Sequence, residues 1–292
     1  MKALVFGSIN IDKVFKISEL PKKGETLYCN SYEIHVGGKG LNQSVALTKA
    51  GIDTYIAGAV GTDGDFIAEF LQKNDVDVSF LKKTDGFTGT TVIMVDDDGN
   101  NQMILYKGAN HCLDEEYCDK VLESFDAGDL ILMQYETSCV EYMLRKAHEK
   151  GLIVAFNPSP YVDKIKELPL EFVDYLILNE FEGISLSGKT AADEICTKLL
   201  KISKNIVLTL GSKGSVFYGK DGEKTFVPAL KINAVDTTCA GDTFAGFFLS
   251  EILNGNAAKK AMEVSRTASA IVCQKIGAAE AIPTLDEVYK AL

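Results

Sequence analysis

The 292-residue chain has no excess of positive charge: 30 Lys and Arg stand against 41 Asp and Glu, a net charge of −11. A nucleic-acid partner needs a broad basic surface, so that class is excluded, and only a local basic pocket for a nucleotide stays open. No apolar run approaches the length that spans a bilayer, which argues against a membrane partner. The start, Met1-Lys2-Ala3-Leu4-Val5-Phe6-Gly7, turns to glycine and polar residues too soon for a signal peptide, so a cytoplasmic protein is expected. The seven cysteines form no Cys-x-x-Cys pair and no metal-ligand spacing, which fits reduced thiols. Internal repeats, low-complexity tracts and long linkers are absent. The glycine loop around Lys39 lacks the Gly-x-x-x-x-Gly-Lys-Ser/Thr spacing of a P-loop, and no Gly-x-Gly-x-x-Gly follows Val36, which leaves dinucleotide binding a weak competitor.

The remaining composition, 46% apolar and 24% charged, is that of a globular protein long enough for one large domain and a small appendage. Short β-rich runs at 3–6, 55–60, 130–134, 153–156, 175–178 and 206–210 alternate with amphipathic stretches. That rhythm predicts a mostly parallel central sheet with crossover helices on both faces, a three-layer α/β/α fold. From 243 onward the pattern becomes helical, over 243–253, 257–274 and 285–292. Two stretches interrupt it. Residues 14–36 carry alternating segments such as Thr26-Leu27-Tyr28, and 88–107 read as a hairpin of 90–95 and 102–106 about a solvated Asp-Gly-Asn turn.

The chemistry concentrates in Asp236-Thr237-Thr238-Cys239-Ala240-Gly241-Asp242, just before a helical run. Free backbone N–H groups at a helix mouth attract negative charge, and small residues let a phosphate approach. A carboxylate there is repelled by such a ligand unless it takes a proton from an attacking hydroxyl, although Asp is also a common helix cap. A second glycine-rich element, Val36-Gly37-Gly38-Lys39-Gly40-Leu41-Asn42-Gln43, also leads into a helix. Asn10 and Asp12 follow the first strand, where mixed donors and acceptors could grip vicinal hydroxyls. Asn179-Glu180-Phe181-Glu182 closes another strand with oxygen ligands of the kind magnesium favours.

These segments, with Gly7-Ser8-Ile9-Asn10-Ile11-Asp12 and Thr209-Leu210-Gly211-Ser212-Lys213-Gly214, occur in an order that resembles the ribokinase, or PfkB, family of carbohydrate kinases over essentially the whole chain. The resemblance implies a ribokinase-like fold in which residues 1–12, 38–87 and 108–292 form the main domain and 13–37 and 88–107 a β-sheet lid. A small sheet with one apolar face calls for a partner surface, so a lid-to-lid homodimer is expected. By the same resemblance, Asn10, Asp12, Gly37, Gly38, Lys39, Asn42 and Glu136 bind the sugar. Asp242 is the base, beside backbone N–H groups of Cys239, Ala240 and Gly241. Thr209, Gly211, Ser212, Lys213 and Gly214 form the ATP loop, Arg266 lies near the adenine edge, and Asn179 and Glu182 hold Mg²⁺ and the triphosphate largely through water.

A monovalent cation, K⁺, is implied near Asp236, the Thr238 carbonyl and the stretch of Val272, Lys275 and Gly277. Ala281 stands where some members place a serine ligand, and Cys239 where the family usually has glycine. Near a positive helix end Cys239 is expected to have a lowered pKa and to be the thiol most readily alkylated, with ATP slowing its labelling; the alternative is a small residue chosen for fit, tolerated if its side chain points away from the phosphate. Asn10, Asp12, Asn42, Glu136 and Lys107-Gly108-Ala109-Asn110 favour ribose as acceptor; deoxyribose, fructose, ketodeoxygluconate and nucleosides are the alternatives. A sugar phosphate would call for extra cations near the lid, where Lys13, Lys16, Lys22 and Lys23 stand. A non-catalytic sugar- or nucleotide-binding regulator on the same fold is the competing class.

Overall fold

The computed structural model describes residues Met1–Leu292. The first half contains β1 (Lys2–Phe6), β2 (Asn10–Lys16), β3 (Ser31–Gly37), α1 (Lys39–Lys49), β4 (Asp53–Val60), α2 (Asp65–Lys73), β5 (Asp77–Lys83), β6 (Gly89–Val95), β7 (Asn101–Tyr106), α3 (Glu115–Leu122), β8 (Leu130–Gln134) and α4 (Val140–Glu149). Then come β9 (Ile153–Asn157), β10 (Tyr175–Asn179), α5 (Glu180–Ser187), α6 (Ala192–Leu199), β11 (Asn205–Thr209), β12 (Ser215–Gly219), β13 (Lys224–Val227), α7 (Ala240–Leu253), α8 (Ala258–Val272) and α9 (Leu285–Ala291). The main sheet has the order β13-β12-β11-β10-β9-β8-β1-β4-β5, parallel from β11 to β5, with β12 and β13 antiparallel at one edge.

Strand β1 shows why helices cover both faces. Its successive side chains point to opposite sides. Leu4 and Phe6 join Val121 of α3 and Met143 and Leu144 of α4, whereas Ala3 and Val5 join Phe244 and Phe248 of α7 and Met262 of α8. Apolar residues at every position of the strand therefore specify a middle layer, and the fold is α/β/α. The first and second turns of α7 also meet α1, because Gly246 has no side chain: a Cβ there would lie 2.5 Å from the Ala46 Cβ. That contact lies one turn beyond Asn42 on α1 and one turn beyond Asp242 on α7, and the polar ends of both helices share one crevice.

The second sheet, β3-β2-β6-β7, stands apart from the main one in its pairing. It begins earlier than the sequence implies: the boundary expected between residues 12 and 13 falls inside β2, so Asn10 and Asp12 belong to this sheet instead of following a strand of the main one. Residues 26–28, expected to alternate as a strand, lie in an irregular segment; Tyr28 is fully exposed, so the alternation has no face to bury. Strands β5, β12 and β13 were not legible from the rhythm of apolar runs. Strands β5 and β13 are edges of mixed polarity, and β12 returns antiparallel directly after the 211–213 turn.

Candidate active site

At the mouth of α7 the chain turns through Cys239, which adopts left-handed backbone angles (φ 66°) and offers no side-chain cap. The N–H of Ala240 is drawn back onto the Thr237 carbonyl at 3.3 Å, so Ala240 is not the free donor expected of it. The N–H groups of Cys239, Gly241 and Asp242 have no protein acceptor. In front of Gly241 a Cβ would meet nothing within 4 Å, so this mouth is open. An unsatisfied helix N-terminus facing open space is a ready anion site.

Asp242, one turn into this mouth, is buried. Its Oδ2 accepts from Asn42 Nδ2 at 3.0 Å and its Oδ1 from Gln43 Nε2 at 2.8 Å. Gln43 is held in turn: it also donates to Asn157 Oδ1 at 3.2 Å and accepts from Gln134 Nε2 at 2.6 Å. Asp242 is thus oriented by side chains of α1, not spent as the cap of α7. Sequence reasoning missed Gln43, Gln134 and Asn157. A signal was present, since β8, β9 and β10 end in Gln134, Asn157 and Asn179, a row of amides where ligand crevices of parallel sheets lie.

Lys39 links the rest. Asp242, and more weakly Glu136 and Glu182, hold its ammonium group charged and raise its pKa above 10.5 despite burial. The Glu136 carboxylate receives the Ser8 hydroxyl and, at 3.4 Å, the Lys39 N–H. Burial raises its pKa above 4.5, partly countered by Ser8 and Lys39. Asp12 is likewise pushed above 3.8 by burial, against a hydrogen bond from Thr91 and the nearby His35. Thr91 and His35 flank Asp12 on β6 and β3, and neither was anticipated. Asn10 Oδ1 accepts from Asn110 Nδ2 at 2.8 Å, and the missing side chain of Gly37 leaves room for the Asp12 carboxylate, which a Cβ there would displace. Gly38, with φ 94°, starts α1. Three buried acceptors of the site, Asp12 Oδ1, Asn42 Oδ1 and Gln134 Oε1, have no hydrogen-bond partner.

The nucleotide-side residues gather at the ends of β10 and β11, where Asn179 and Thr209 are neighbours in register. Asn179 caps α5: its Oδ1 accepts from the Glu182 N–H, and Glu182 Oε2 accepts from the Asn179 N–H, both at 2.9 Å. Burial raises the Glu182 pKa, with Asn179 and Ser159 opposing. Gly211, Ser212 and Lys213 form an exposed turn, and Lys213 pairs with Glu180 at 3.1 Å. Gly214 takes φ 119°, where its missing side chain leaves room for the backbone of Val227 and Pro228. Arg266 donates to the Pro228 carbonyl at 3.4 Å, and its buried Nε is unpaired. Among the cation-loop residues, Asp236 accepts from the Thr238 N–H at 2.9 Å and from the Gly277 N–H at 3.3 Å. Burial acts to raise its pKa, but these hydrogen bonds outweigh it and hold the carboxyl below 3.8. The Val272 carbonyl is taken by the Lys275 N–H at 3.1 Å, and the Lys275 ammonium lies 4.0 Å from Glu287.

Cys239 departs from expectation. Its side chain packs into the apolar cluster of Val45, Phe247 and Val264 instead of facing the helix mouth. Burial and the neighbouring Asp242 raise its thiol pKa well above 9.0, which overrides the helix end. The exposed thiols are Cys29 and Cys112. A side chain is tolerated at this position because it points into the core, at a cost of about 1–2 kcal/mol for left-handed backbone in an L-residue.

An α/β sheet whose polar crevice joins a free helix mouth to an oriented carboxylate defines the class of enzymes that move anionic groups onto small acceptors. The family model for pfkB family carbohydrate kinases matches residues 1–285. The ribokinase of Schizosaccharomyces pombe is 34% identical over 305 residues, covering 98% of this chain and 96% of its own. Among solved structures, a ribokinase from Thermotoga maritima matches with a TM-score of 0.90 at 31% identity, covering 99% and 98% of the two chains. Arabidopsis thaliana ribokinase complexed with ribose and ATP matches at 0.88 and 27%, with coverage of 99% and 98%. This chain belongs to the pfkB family of carbohydrate kinases. It is an ATP-dependent sugar kinase. No helix is long and apolar enough to cross a membrane.

Proposed function

We propose that the chain phosphorylates ribose on its hydroxymethyl oxygen, giving ribose 5-phosphate and ADP. The observation that carries this reading is two orphaned buried acceptors on the sugar side, Asp12 Oδ1 and Asn42 Oδ1, the second on the side chain that donates to Asp242. Buried acceptors without partners are costly, and the hydroxyls of a pentose supply the missing donors. Asp242 takes the hydroxyl proton as the oxygen attacks the γ-phosphorus, and the bond from that phosphorus to the bridging oxygen of ADP breaks. The unpaired N–H groups of Cys239 and Gly241 face the charge that builds on the transferred group, and Lys39 adds a fixed positive charge beside it.

Asn179 and Glu182 suit Mg²⁺ held through water, since Asn179 Oδ1 and Glu182 Oε2 already accept backbone N–H groups and the pair stands at a strand end. Mg²⁺ would neutralise charge on the triphosphate oxygens. Asp236, with the Thr238 and Gly277 carbonyls, is an all-oxygen set that suits K⁺ as well, with Ala281 contributing nothing. The exposed Tyr32 and Ile34 of β3 and Met103 to Tyr106 of β7 support a homodimer through the small sheet. The test is coupled ADP release from MgATP across pentoses, hexoses, their phosphates and nucleosides, with and without K⁺. A dominant response to ribose is expected. Silence across the panel would instead favour a binding regulator.

A further inference from the structure

A buried cysteine behaves as a small apolar residue unless a second thiol stands against it. Cys118 lies near the start of α3, and Cys139 is the residue from which α4 begins. Contacts on either side bring these two points together. Ser138 Oγ donates to the Leu113 carbonyl at 2.7 Å and accepts from the Leu113 N–H at 3.1 Å, while Tyr142, one turn into α4, donates to Asp119 at 2.9 Å. Cys139 and Cys118 are bracketed between those contacts and pack in one apolar cluster. The Cys118 thiol donates a hydrogen bond to the Cys139 sulfur, and the Cys139 thiol donates to the Leu113 carbonyl at 3.3 Å. Both thiols are free.

The pair is asymmetric. Cys118 is wholly buried, whereas Cys139 is half-buried and lines a cleft of ≈ 830 Å³ together with Ser8, Asn10 and Glu136. Cys139 also has left-handed backbone angles (φ 60°), a conformation that favours glycine, so its side chain is held there against backbone preference. Burial raises its pKa above 9.0, the hydrogen bond from Cys118 opposes that rise, and Glu115 and Asp114 add to it. Its thiolate is therefore scarce at neutral pH, and exchange through it is slow. The segment that Cys139 closes serves the sugar side. Glu136 stands in it, and the Ser138 N–H donates to the carbonyl of Asn110, whose side chain holds Asn10 at 2.8 Å. A disulfide requires the two sulfurs at about 2.0 Å. Cys118 is fixed in the core, so closing the bond draws Cys139 off the Leu113 carbonyl and displaces the 136–139 segment instead of α3.

We propose that Cys139 and Cys118 form a reversible disulfide whose closure loosens the sugar side of the site. The Cys139 thiolate attacks one sulfur of a small disulfide and expels the first small thiol. Cys118 then loses its proton and attacks the Cys139 sulfur of the mixed disulfide, and the second small thiol leaves. The protein gives up two electrons and two protons, and the small disulfide takes both. The loosening rests on the reading of Glu136 and Asn10 as ribose ligands, whereas the bond does not. Hydroxyethyl disulfide would be applied over minutes to hours, with peptide mapping by mass spectrometry and coupled ADP release before and after dithiothreitol. A cross-linked Cys118–Cys139 peptide is expected in wild type and in Cys112→Ser, and none in Cys139→Ser. On closure KM for ribose should rise about tenfold, as for loss of a hydrogen bond to a charged group, with KM for MgATP within about twofold. Dithiothreitol should reverse the rise, and Cys139→Ser should not show it. A mixed disulfide that stays on Cys139, or a cross-link through Cys112, would overturn the inference, as would full closure with KM for ribose unchanged. If no sugar yields ADP, the ribose reading fails, and the peptide map still decides whether the pair closes.

Discussion

Gly246 lies one turn beyond Asp242, and replacing it with alanine probes how the two helix starts are held together. The new Cβ would lie 2.5 Å from the Ala46 Cβ and 2.9 Å from both the Ala46 carbonyl carbon and the Leu47 nitrogen. The last two are backbone atoms of α1, so no rotamer change relieves the contact. Carbon atoms rest at about 3.5–4.0 Å, which requires α1 to withdraw by roughly 1 Å. Overpacking of this kind costs about 1–3 kcal/mol. Alanine recovers about 1 kcal/mol in helix propensity, leaving a net loss of about 0–2 kcal/mol. Each kcal/mol moves Tm by roughly 2–4 °C in chains of about 150–250 residues, so the thermal effect is modest.

Activity is the sharper readout. Asn42 and Gln43 ride on α1 and hold Asp242 at 3.0 and 2.8 Å. A displacement of about 1 Å at such a site can cost roughly 10²-fold in rate. Gly246→Ala should therefore lower kcat by about 10- to 100-fold while Tm drops only a few degrees, measured by coupled ADP release and thermal unfolding. A variant with kcat within twofold of wild type and unchanged Tm would refute the claim that this approach sets the geometry of Asp242.

Gln43→Leu removes a donor from Asp242 and an acceptor from Gln134, and each orphaned buried group costs about 1–3 kcal/mol; chemical denaturation should show that loss together with reduced kcat, and an unchanged midpoint would count against the network. Burial raises Asp12 and Glu136 above 3.8 and 4.5, so both take up protons in the folded protein before they would in the unfolded chain. Protonated, they no longer accept sugar hydroxyls with full strength, so KM for the sugar should climb as pH falls through the raised values. The stability these two groups contribute changes in the opposite sense, being full below their unfolded pKa values and lost as pH rises through the folded ones. A KM that stays flat down to pH 4.5 would contradict this. Alkylation read by mass spectrometry should modify Cys29 and Cys112 before Cys239, with no effect of ATP on the order, and early labelling of Cys239 would show that the thiol is not buried.

The central layers were legible because burial on both faces writes apolar runs into parallel strands: 130–134 corresponds to β8 residue for residue, and 3–6 lies within β1. The small sheet was less clear. Its strands are half exposed, so composition did not mark that β2 begins at Asn10 or that 26–28 stays irregular. In the site, motifs gave the residues whose type is unusual for their place, such as Asp242 at a helix mouth. They did not reveal Gln43, whose role depends on the packing of α1 on α7 through Gly246, or Thr91 and His35, which reach Asp12 only through strand register. The reactivity expected of Cys239 failed for a related reason. Sequence locates it beside a helix end, but only the left-handed turn shows that its side chain leaves the site for the core.

The most direct measurement is turnover of Asp242→Asn set beside its affinity for ribose. The amide preserves shape and one acceptor for Asn42 or Gln43 but cannot take the hydroxyl proton. Loss of a general base costs about 10²–10⁴-fold, so kcat should collapse by that factor. Ribose binding by calorimetry should stay within about threefold, because Asp12, Asn42 and Glu136 remain. A variant that keeps more than about half of the wild-type kcat would contradict proton removal by Asp242.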